Sequence, residues 1–398
     1  MKVLYLHSCP HKGGSQTSLL NLITSFPAGS VEPLVCCPRG SAQKMFEAAN
    51  IPVMTVEGIP TFCNERTAPF SGITFLKIYR AFFNKYKTSF LSAIDQFKPD
   101  IIHLNDCHLL APLKLAKSQG QKVIVHARFT LSHSPAWAWK YQTATLRSLA
   151  DKVIAIDKSV LRTLGDQPNA AIIYNPLASA APLDFLNIKK KDIKGFSETN
   201  PMKIGFVSLF YLRKGVLDLL EAARILKERK DILFLFAGSN GRPASFHNSL
   251  LGKTCHFLGV APDVEKIMNR FIAEWNLENV RLSGFVNDVP TLMESLDLLA
   301  FPSWLDSIPR SVYEAGLFAI PSVVSLENKV EDIVCDGHNG FIVPEKRPDI
   351  LARIFVKLAE NPKLLRSMGE NAQKQFSRQF SGEQSAQSVL NIYKEVMS

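Results

Sequence analysis

The sequence predicts an α/β protein built from two doubly wound domains. Three observations lead there. Short β-branched runs alternate with longer helical patterns along the whole chain, which is the mark of βαβ units and parallel sheets. The alternation stops once, in a polar, lysine-rich stretch. And 398 residues exceed what one ordinary core accommodates, so two domains is the natural count.

In the first series the strand candidates are Val3 to His7, Pro33 to Cys36, Ile101 to Leu104, Lys122 to His126, Val153 to Ile156 and Ala171 to Tyr174. Six strands suffice for one doubly wound sheet. From Asp184 to Met202 the text reads DFLNIKKKDIKGFSETNPM, without apolar periodicity, as an exposed connection does. A second series follows: Lys203 to Ser208, Ile232 to Ala237, Val280 to Ser283, Leu298 to Phe301, Pro321 to Ser325 and Gly340 to Val343. The expected division is therefore 1–181, a linker at 182–202, and 203–381, with a last helix at about 382–398 packing back on the first domain. Ser381 and Glu383 suit the start of that helix. Residues 241–277 separate two strands by more than a short connection, so an extra helix or loop is expected there.

Composition narrows the functional classes. Apolar residues make up 46% and charged residues 21%, as in a soluble globular protein. The KVLYLH opening leaves no room for a signal region, and no apolar run approaches the ~20 residues that span a bilayer. Seven cysteines with no Cys-x-x-Cys pair suggest neither a disulfide framework nor a zinc knuckle, so a cytoplasmic protein is expected. A formal charge of +10 admits phosphorylated ligands, an anionic membrane surface or plain solubility. Nucleic acid is disfavoured, because Lys189 to Lys191 form the one basic run.

Ligands of doubly wound sheets sit outside the carboxyl ends of the strands, so candidate residues should follow strands, and several do. Gly13 and Gly14 stand between the first strand and an apolar helix, where backbone can approach a ligand at a helix N-terminus; a tight turn is the plainer explanation. The spacing is not that of a dinucleotide fingerprint. IIHLND places His103 and Asp106 near a sheet edge, and KVIVHARF ends a strand at His126. Either histidine is expected to titrate near neutrality, or else to be a hydrogen-bonded part of the framework. Arg213 and Lys214 end another strand, where cations neutralise a diphosphate. FPSWLDSIPRSVYEAG then turns at Pro302 and Ser303 and enters a helix near Pro309. Asp306 in the loop and Glu314 two turns into the helix can serve one pocket, carboxylates being acceptors for paired sugar hydroxyls; both also read as ordinary capping or surface acids.

Taken in order, Pro302-Ser303, Asp306, Ser307-Ile308-Pro309 and Glu314-Ala315 resemble the acidic signature of the retaining glycosyltransferases of family 4. Lys214-Gly215, Gly284-Phe285-Val286, the run Asp336 to Gly340, Gly13-Gly14, the strand end at His126, Ala150-Asp151 and Tyr174-Asn175-Pro176 add to the likeness. The resemblance implies the GT-B architecture, two Rossmann-like domains facing across a cleft, and transfer of a sugar from a nucleotide-sugar donor with retained anomeric configuration. It implies that Lys214 binds the donor diphosphate, with Arg213 beside it. Asp306 and the amides of Ser307 and Ile308 hold sugar hydroxyls, the loop running on through Pro309 to Arg310. Glu314 holds the ribose, Gly284 to Val286 border the base, His126 lies near the transferred sugar, and Gly13 and Gly14 line the donor phosphate. The catalytic set is then His126, Lys214, Asp306 and Glu314, with no metal and no cofactor beyond the nucleotide-sugar.

The sequence does not identify the acceptor; the resemblance implies a sugar or a lipid-linked chain, as in synthesis of surface polysaccharide or glycolipid. The sequence departs from the family at Leu209, where an arginine is usual, at Asp306, where a glutamate is usual, and in the small residues from Gly316 to Ala319. Leu209 keeps open the alternative of a catalytically inactive nucleotide-sugar-binding or partner subunit. Finally, Phe75 to Ile94 carries Phe and Tyr at helical spacing among lysines. That pattern fits either a core face or a helix resting on anionic lipid at the inner membrane face.

Overall fold

The computed structural model describes residues 1–64, 86–176, 195–241, 244–257, 262–286, 288–304, 310–325 and 333–398. The chain divides into two compact units, Met1–Pro182 with Gln379–Ser398, and Leu183–Arg378.

The first unit holds seven parallel strands: β1 Lys2–Leu6, β2 Glu32–Cys37, β3 Val53–Thr55, β4 Ile101–Leu104, β5 Val123–Ala127, β6 Lys152–Ala155 and β7 Ala170–Ile172. Their spatial order is β3-β2-β1-β4-β5-β6-β7. Leu6 of β1 pairs with Cys36 on one side and Leu104 on the other, so β1 and β4 are interior strands. The two-residue period of a strand divides the core cleanly. Leu4 and Leu6 join Phe90, Leu113 and Leu146 on one face. Val3 and Tyr5 join Leu19, Leu22 and a set of C-terminal residues on the other. Helices α1 Gly14–Thr24, α2 Ser41–Ala48, α3 Tyr86–Phe97, α4 Leu110–Ser118, α5 Ala136–Leu149 and α6 Lys158–Thr163 make the crossovers.

The second unit repeats the plan with β8 Met202–Val207, β9 Ile232–Ala237, β10 Val280–Gly284, β11 Leu298–Phe301, β12 Ser322–Ser325 and β13 Gly340–Val343, in the order β10-β9-β8-β11-β12-β13. Helix α7 Val216–Ile225 follows β8. The 241–277 excursion contains α8 Ala244–Asn248, α9 Leu250–Phe257 and α10 Val264–Trp275. Then come α11 Val289–Ser295, α12 Arg310–Leu317, α13 Pro348–Glu360 and α14 Pro362–Gln379.

Helix α15, Gly382–Met397, belongs to the first unit. Ser381 caps it by accepting from the Gln384 amide, and Ala386, Val389, Leu390, Ile392, Tyr393 and Val396 close one face of the seven-stranded core.

Several expectations need correcting. The first sheet has a seventh strand, β3, whose three residues are too few to register as a periodic run. His103 and Asp106 are not near a lateral edge, because β4 is the middle strand of seven, and both are buried. Of the aromatic stripe, the part at 75–85 lies outside the described residues. The part in α3 turns Tyr86, Phe90 and Ile94 into the core, which is the core-face reading for that half.

Truncation of a buried leucine removes transfer energy and leaves a cavity, so Leu390→Ala should cost about 2–5 kcal/mol in urea unfolding. A cost within error of zero would mean that α15 does not complete this core.

Candidate functional site

In a doubly wound sheet the crossovers leave open ground where the strand order reverses. In the second unit that point lies between β8 and β11, and in the first between β1 and β4. The residues following these four strands build two polar clusters.

In the second unit β8 is followed by Ser208 and a single 3-10 turn, Leu212–Lys214. The turn ends at Gly215 with φ 75°, and a Cβ there would lie 1.8 Å from the carbonyl oxygen of Pro302. Glycine is therefore required for the turn to lie against the exit of β11. The contact is fastened by the Trp304 amide and the Ser303 hydroxyl, which donate to the Arg213 carbonyl at 2.8 and 3.4 Å. The Trp304 indole donates to Asp218 at 2.6 Å, and the Lys346 ammonium lies 4.5 Å above its ring.

Lys214, held by this frame, donates to Ser208 Oγ at 2.5 Å and lies 5.5 Å from the centre of the Tyr211 ring. Burial brings its ammonium down to about 8. Among the described residues it has no carboxylate partner. A half-desolvated cation with only a hydroxyl and an aromatic face beside it is suited to an anionic ligand. Arg213 is exposed. Leu209, 39% exposed, sits on the same loop and adds no charge.

Glu314 lies in α12 and accepts from Arg310 Nε at 2.7 Å, an i,i+4 pair with both side chains partly exposed. Gly316 in the same helix faces the ring of Phe376 so closely that a Cβ would lie 1.9 Å from it, which accounts for the small residue. Asp306, Ser307, Ile308 and Pro309 lie outside the described residues. Gly284 ends β10 with φ 67°, donating no side chain but turning the chain so that Phe285 stands 65% exposed and Val286 half-buried beyond it. The run Asp336 to Gly340 is a turn ahead of β13: Asn339 accepts from the Cys335 amide and donates to Ile333, so its side chain serves the framework.

In the first unit Gly13 is the N-cap of α1 and Gly14 opens it, with no side chain within 4 Å of where a Gly14 Cβ would be. Neither has a positive φ, so these glycines give open backbone rather than a special conformation. Behind them lies a buried polar layer that sequence reasoning largely missed. His7 Nε2 lies 2.5 Å from the Gln16 amide, and His7 Nδ1 lies 3.1 Å from Asn105 Nδ2. Arg128 donates from Nε to Asn105 Oδ1 at 2.6 Å and from Nη1 to Asn175 Oδ1. His126 is 1% exposed; its Nδ1 lies 3.3 Å from Arg128 Nη2 and 3.2 Å from His103 Nε2, and its buried Nε2 has no hydrogen-bond partner among the described residues. His103 Nδ1 meets the Tyr393 hydroxyl at 2.7 Å. The signal for Arg128 was its place two residues after His126, on the same side of the departing strand. Asp151 is a framework residue, paired with Lys117 at 2.8 Å and accepting from the Val123 amide.

The expectation that His103 or His126 titrates near neutrality is wrong. Burial, with Arg128 close by, holds His7 and His103 at about 3 and His126 well below its ordinary value of 6.5. Burial also raises Asp106 to about 7, and it lowers Arg128 to about 10.

These shifts bear on stability. The three histidines are neutral in the fold but protonate in the unfolded chain below about 6.5, so their contribution, complete above that value, is lost as pH falls toward about 3. Asp106 acts oppositely, one group against three. The melting temperature should therefore fall between pH 6.5 and 4.5. A flat or rising profile over that window would refute the neutral, buried assignment.

Residues 187–375 match the family described as Glycosyl transferases group 1, and residues 12–178 match Glycosyltransferase Family 4. An uncharacterised glycosyltransferase of Methanocaldococcus jannaschii is 26% identical over 65% of this chain, which spans 62% of that relative's length. A second from the same organism is 22% identical over 98% of this chain and 96% of its own. The structure of HepE from Anabaena in complex with UDP superposes with a TM-score of 0.77 at 20% identity, covering 99% of this chain and all of that one. The two family matches together take in nearly the whole chain, and with the GT-B fold of its structural neighbours they place it: the chain belongs to the group 1 glycosyltransferases.

Proposed function

We propose that the protein transfers a sugar from a nucleotide-sugar donor to an acceptor with retention of configuration and without a metal. The observation that carries this reading is Lys214. It is a desolvated cation with no carboxylate partner among the described residues, and it stands where the strand order reverses in the second unit. There it would meet the donor diphosphate and stabilise the negative charge that grows on the leaving phosphate as the glycosidic bond breaks. Fixed backbone amides at the β8 and β11 exits would add to that field without reorganising. Glu314, on the helix after β11 and paired with Arg310, would accept hydrogen bonds from ribose hydroxyls once that pairing yields. Asp306 would hold the sugar.

HepE has been solved with UDP and with UDP-glucose, and a uridine nucleotide is our proposal for the donor here. A sugar or lipid-linked acceptor in surface polysaccharide or glycolipid synthesis, met at the cytoplasmic face of the membrane, completes the reading. No helix among the described residues is long and apolar enough to cross a membrane.

A second reading, a nucleotide-sugar binder without activity, is favoured by Leu209. Losing the family's arginine there removes a charged hydrogen bond worth about 1.5–3 kcal/mol.

A thermal-shift panel of nucleotides and nucleotide-sugars should show uridine compounds raising the melting temperature more than guanosine or adenosine ones. Donor hydrolysis or transfer should then fall on the order of 10²–10³-fold in Lys214→Ala and sharply in Glu314→Ala. Binding with no turnover in the wild type would select the second reading, and turnover untouched by either substitution would end the first. Activity should also survive a chelator. Complete loss restored by magnesium or manganese would overturn metal independence.

A further inference from the structure

The polar layer of the first unit runs through one guanidinium, and the direction of its hydrogen bonds can be worked out. A guanidinium carries five N–H groups and no acceptor, so every atom it bonds must accept. Arg128 thereby orients two side chains. Asn105 must turn Oδ1 toward Arg128 Nε, which leaves Nδ2 facing His7 Nδ1 at 3.1 Å and the Ser15 carbonyl at 3.4 Å. Since an amide nitrogen only donates, His7 Nδ1 is the bare nitrogen and the ring's proton sits on Nε2; the Gln16 side chain, whose amide end lies 2.5 Å away, must then turn its oxygen to that N–H and its nitrogen to the Ser15 hydroxyl.

The same logic applies to His126. Its Nδ1 faces Arg128 Nη2 at 3.3 Å and must accept, so the proton of the neutral ring is on Nε2, the buried atom without a hydrogen-bond partner among the described residues. His103 Nε2, 3.2 Å from that same Nδ1, is then a donor, and His103 Nδ1 must accept from the Tyr393 hydroxyl; that hydroxyl has one proton, so the Tyr5 hydroxyl, 3.1 Å away, donates to it in turn. The reverse order would set a His126 Nδ1–H against an Arg128 N–H. Both bonds to His126 Nδ1 are long, as befits one lone pair shared by two donors. Arg128 itself is 9% exposed, and among the described residues its guanidinium bonds neutral groups: two amide oxygens and an imidazole nitrogen. Its charge lowers the affinity of all three rings for a second proton, which keeps each in a single neutral form.

We infer that Arg128 is a positioning residue that locks His7 and His126 as Nε2–H tautomers, so that His126 offers an N–H donor to an oxygen of the bound ligand and does not act as a base. This rests on the glycosyltransferase reading only in assigning that oxygen to a sugar or its acceptor. The tautomers follow from the hydrogen bonds alone. A buried N–H without a partner is costly, and a ligand hydroxyl oxygen would relieve it.

The test is long-range ¹H–¹⁵N NMR of the full chain labelled with ¹⁵N-histidine, which separates protonated ring nitrogens from bare ones. Signals are assigned by their loss in His126→Asn and His7→Asn. In the wild type at neutral pH both rings should show a protonated Nε2 and a bare Nδ1. Asn105→Asp, nearly isosteric, keeps an acceptor for Arg128 but removes the donor to His7. His7 Nδ1 should then gain a proton while His126 is unchanged. Arg128→Met should leave His126 as a mixture of both tautomers. A proton on His126 Nδ1 in the wild type, or an unaltered His7 in Asn105→Asp, overturns the inference, and so does an unaltered His126 in Arg128→Met. If Arg128→Met does not fold, the first two spectra decide. Failure to bind any nucleotide-sugar would end the functional reading and leave these spectra unaffected, so the two failures are distinguishable.

Discussion

Parallel strands can be wound onto a sheet from its middle outward in two directions, and the reversal leaves one place that no crossover covers. The rest of this molecule is arranged around that constraint, met twice. In each unit the strand that begins the series pairs with the fourth, β1 with β4 and β8 with β11, and the loops leaving those strands hold the polar groups. The central strands are otherwise mostly apolar, so these loops are where charge and hydrogen-bonding capacity can gather without breaking a core.

The two clusters solve the problem of burying polarity differently. The second unit keeps one cation underpartnered and stiffens the backbone around it: Gly215 against Pro302, the Arg213 carbonyl satisfied by Ser303 and Trp304, the Trp304 indole fixed by Asp218. The lysine is thereby presented by a rigid frame, which is what an electrostatic role requires, since a field that must reorganise gives little. The first unit instead links its polar groups to one another. Arg128, Asn105, Asn175 and three histidines satisfy most of each other's hydrogen bonds. A buried network is tolerable only when nearly complete. The gap at His126 Nε2, which has no partner among the described residues, therefore stands out.

Much of the fold was legible because apolar periodicity is written locally. All twelve expected strands match to within a residue or two at each end, and β3 escaped because Val53, Met54 and Thr55 are too short a run to show a period. The Pro302-Ser303 exit was readable as turn chemistry, whereas Gly215 entered only through the family likeness. The state of the histidines was not, because it depends on residues distant in sequence. Tyr393 is 290 residues from His103, and Asn175 is 47 from Arg128. An arginine in HARF reads locally as a solvated surface charge, and only the assembled sheet reveals that its side chain crosses the ends of neighbouring strands. The burial of His103 by β4's central position, likewise, is a property of strand order, which no window of sequence contains.

The placement of α15 has a consequence for how the chain is made. Its apolar face covers Val3, Tyr5, Leu19 and Leu22, residues synthesised long before it, and the helix itself emerges after the entire second unit. During synthesis the early sheet must wait with one side uncovered while some two hundred intervening residues are translated and can fold by themselves. Nascent chains stalled before residue 382 would expose a sticky surface of the sort chaperones bind. A premature stop near the end would thus injure the half of the protein that was finished first.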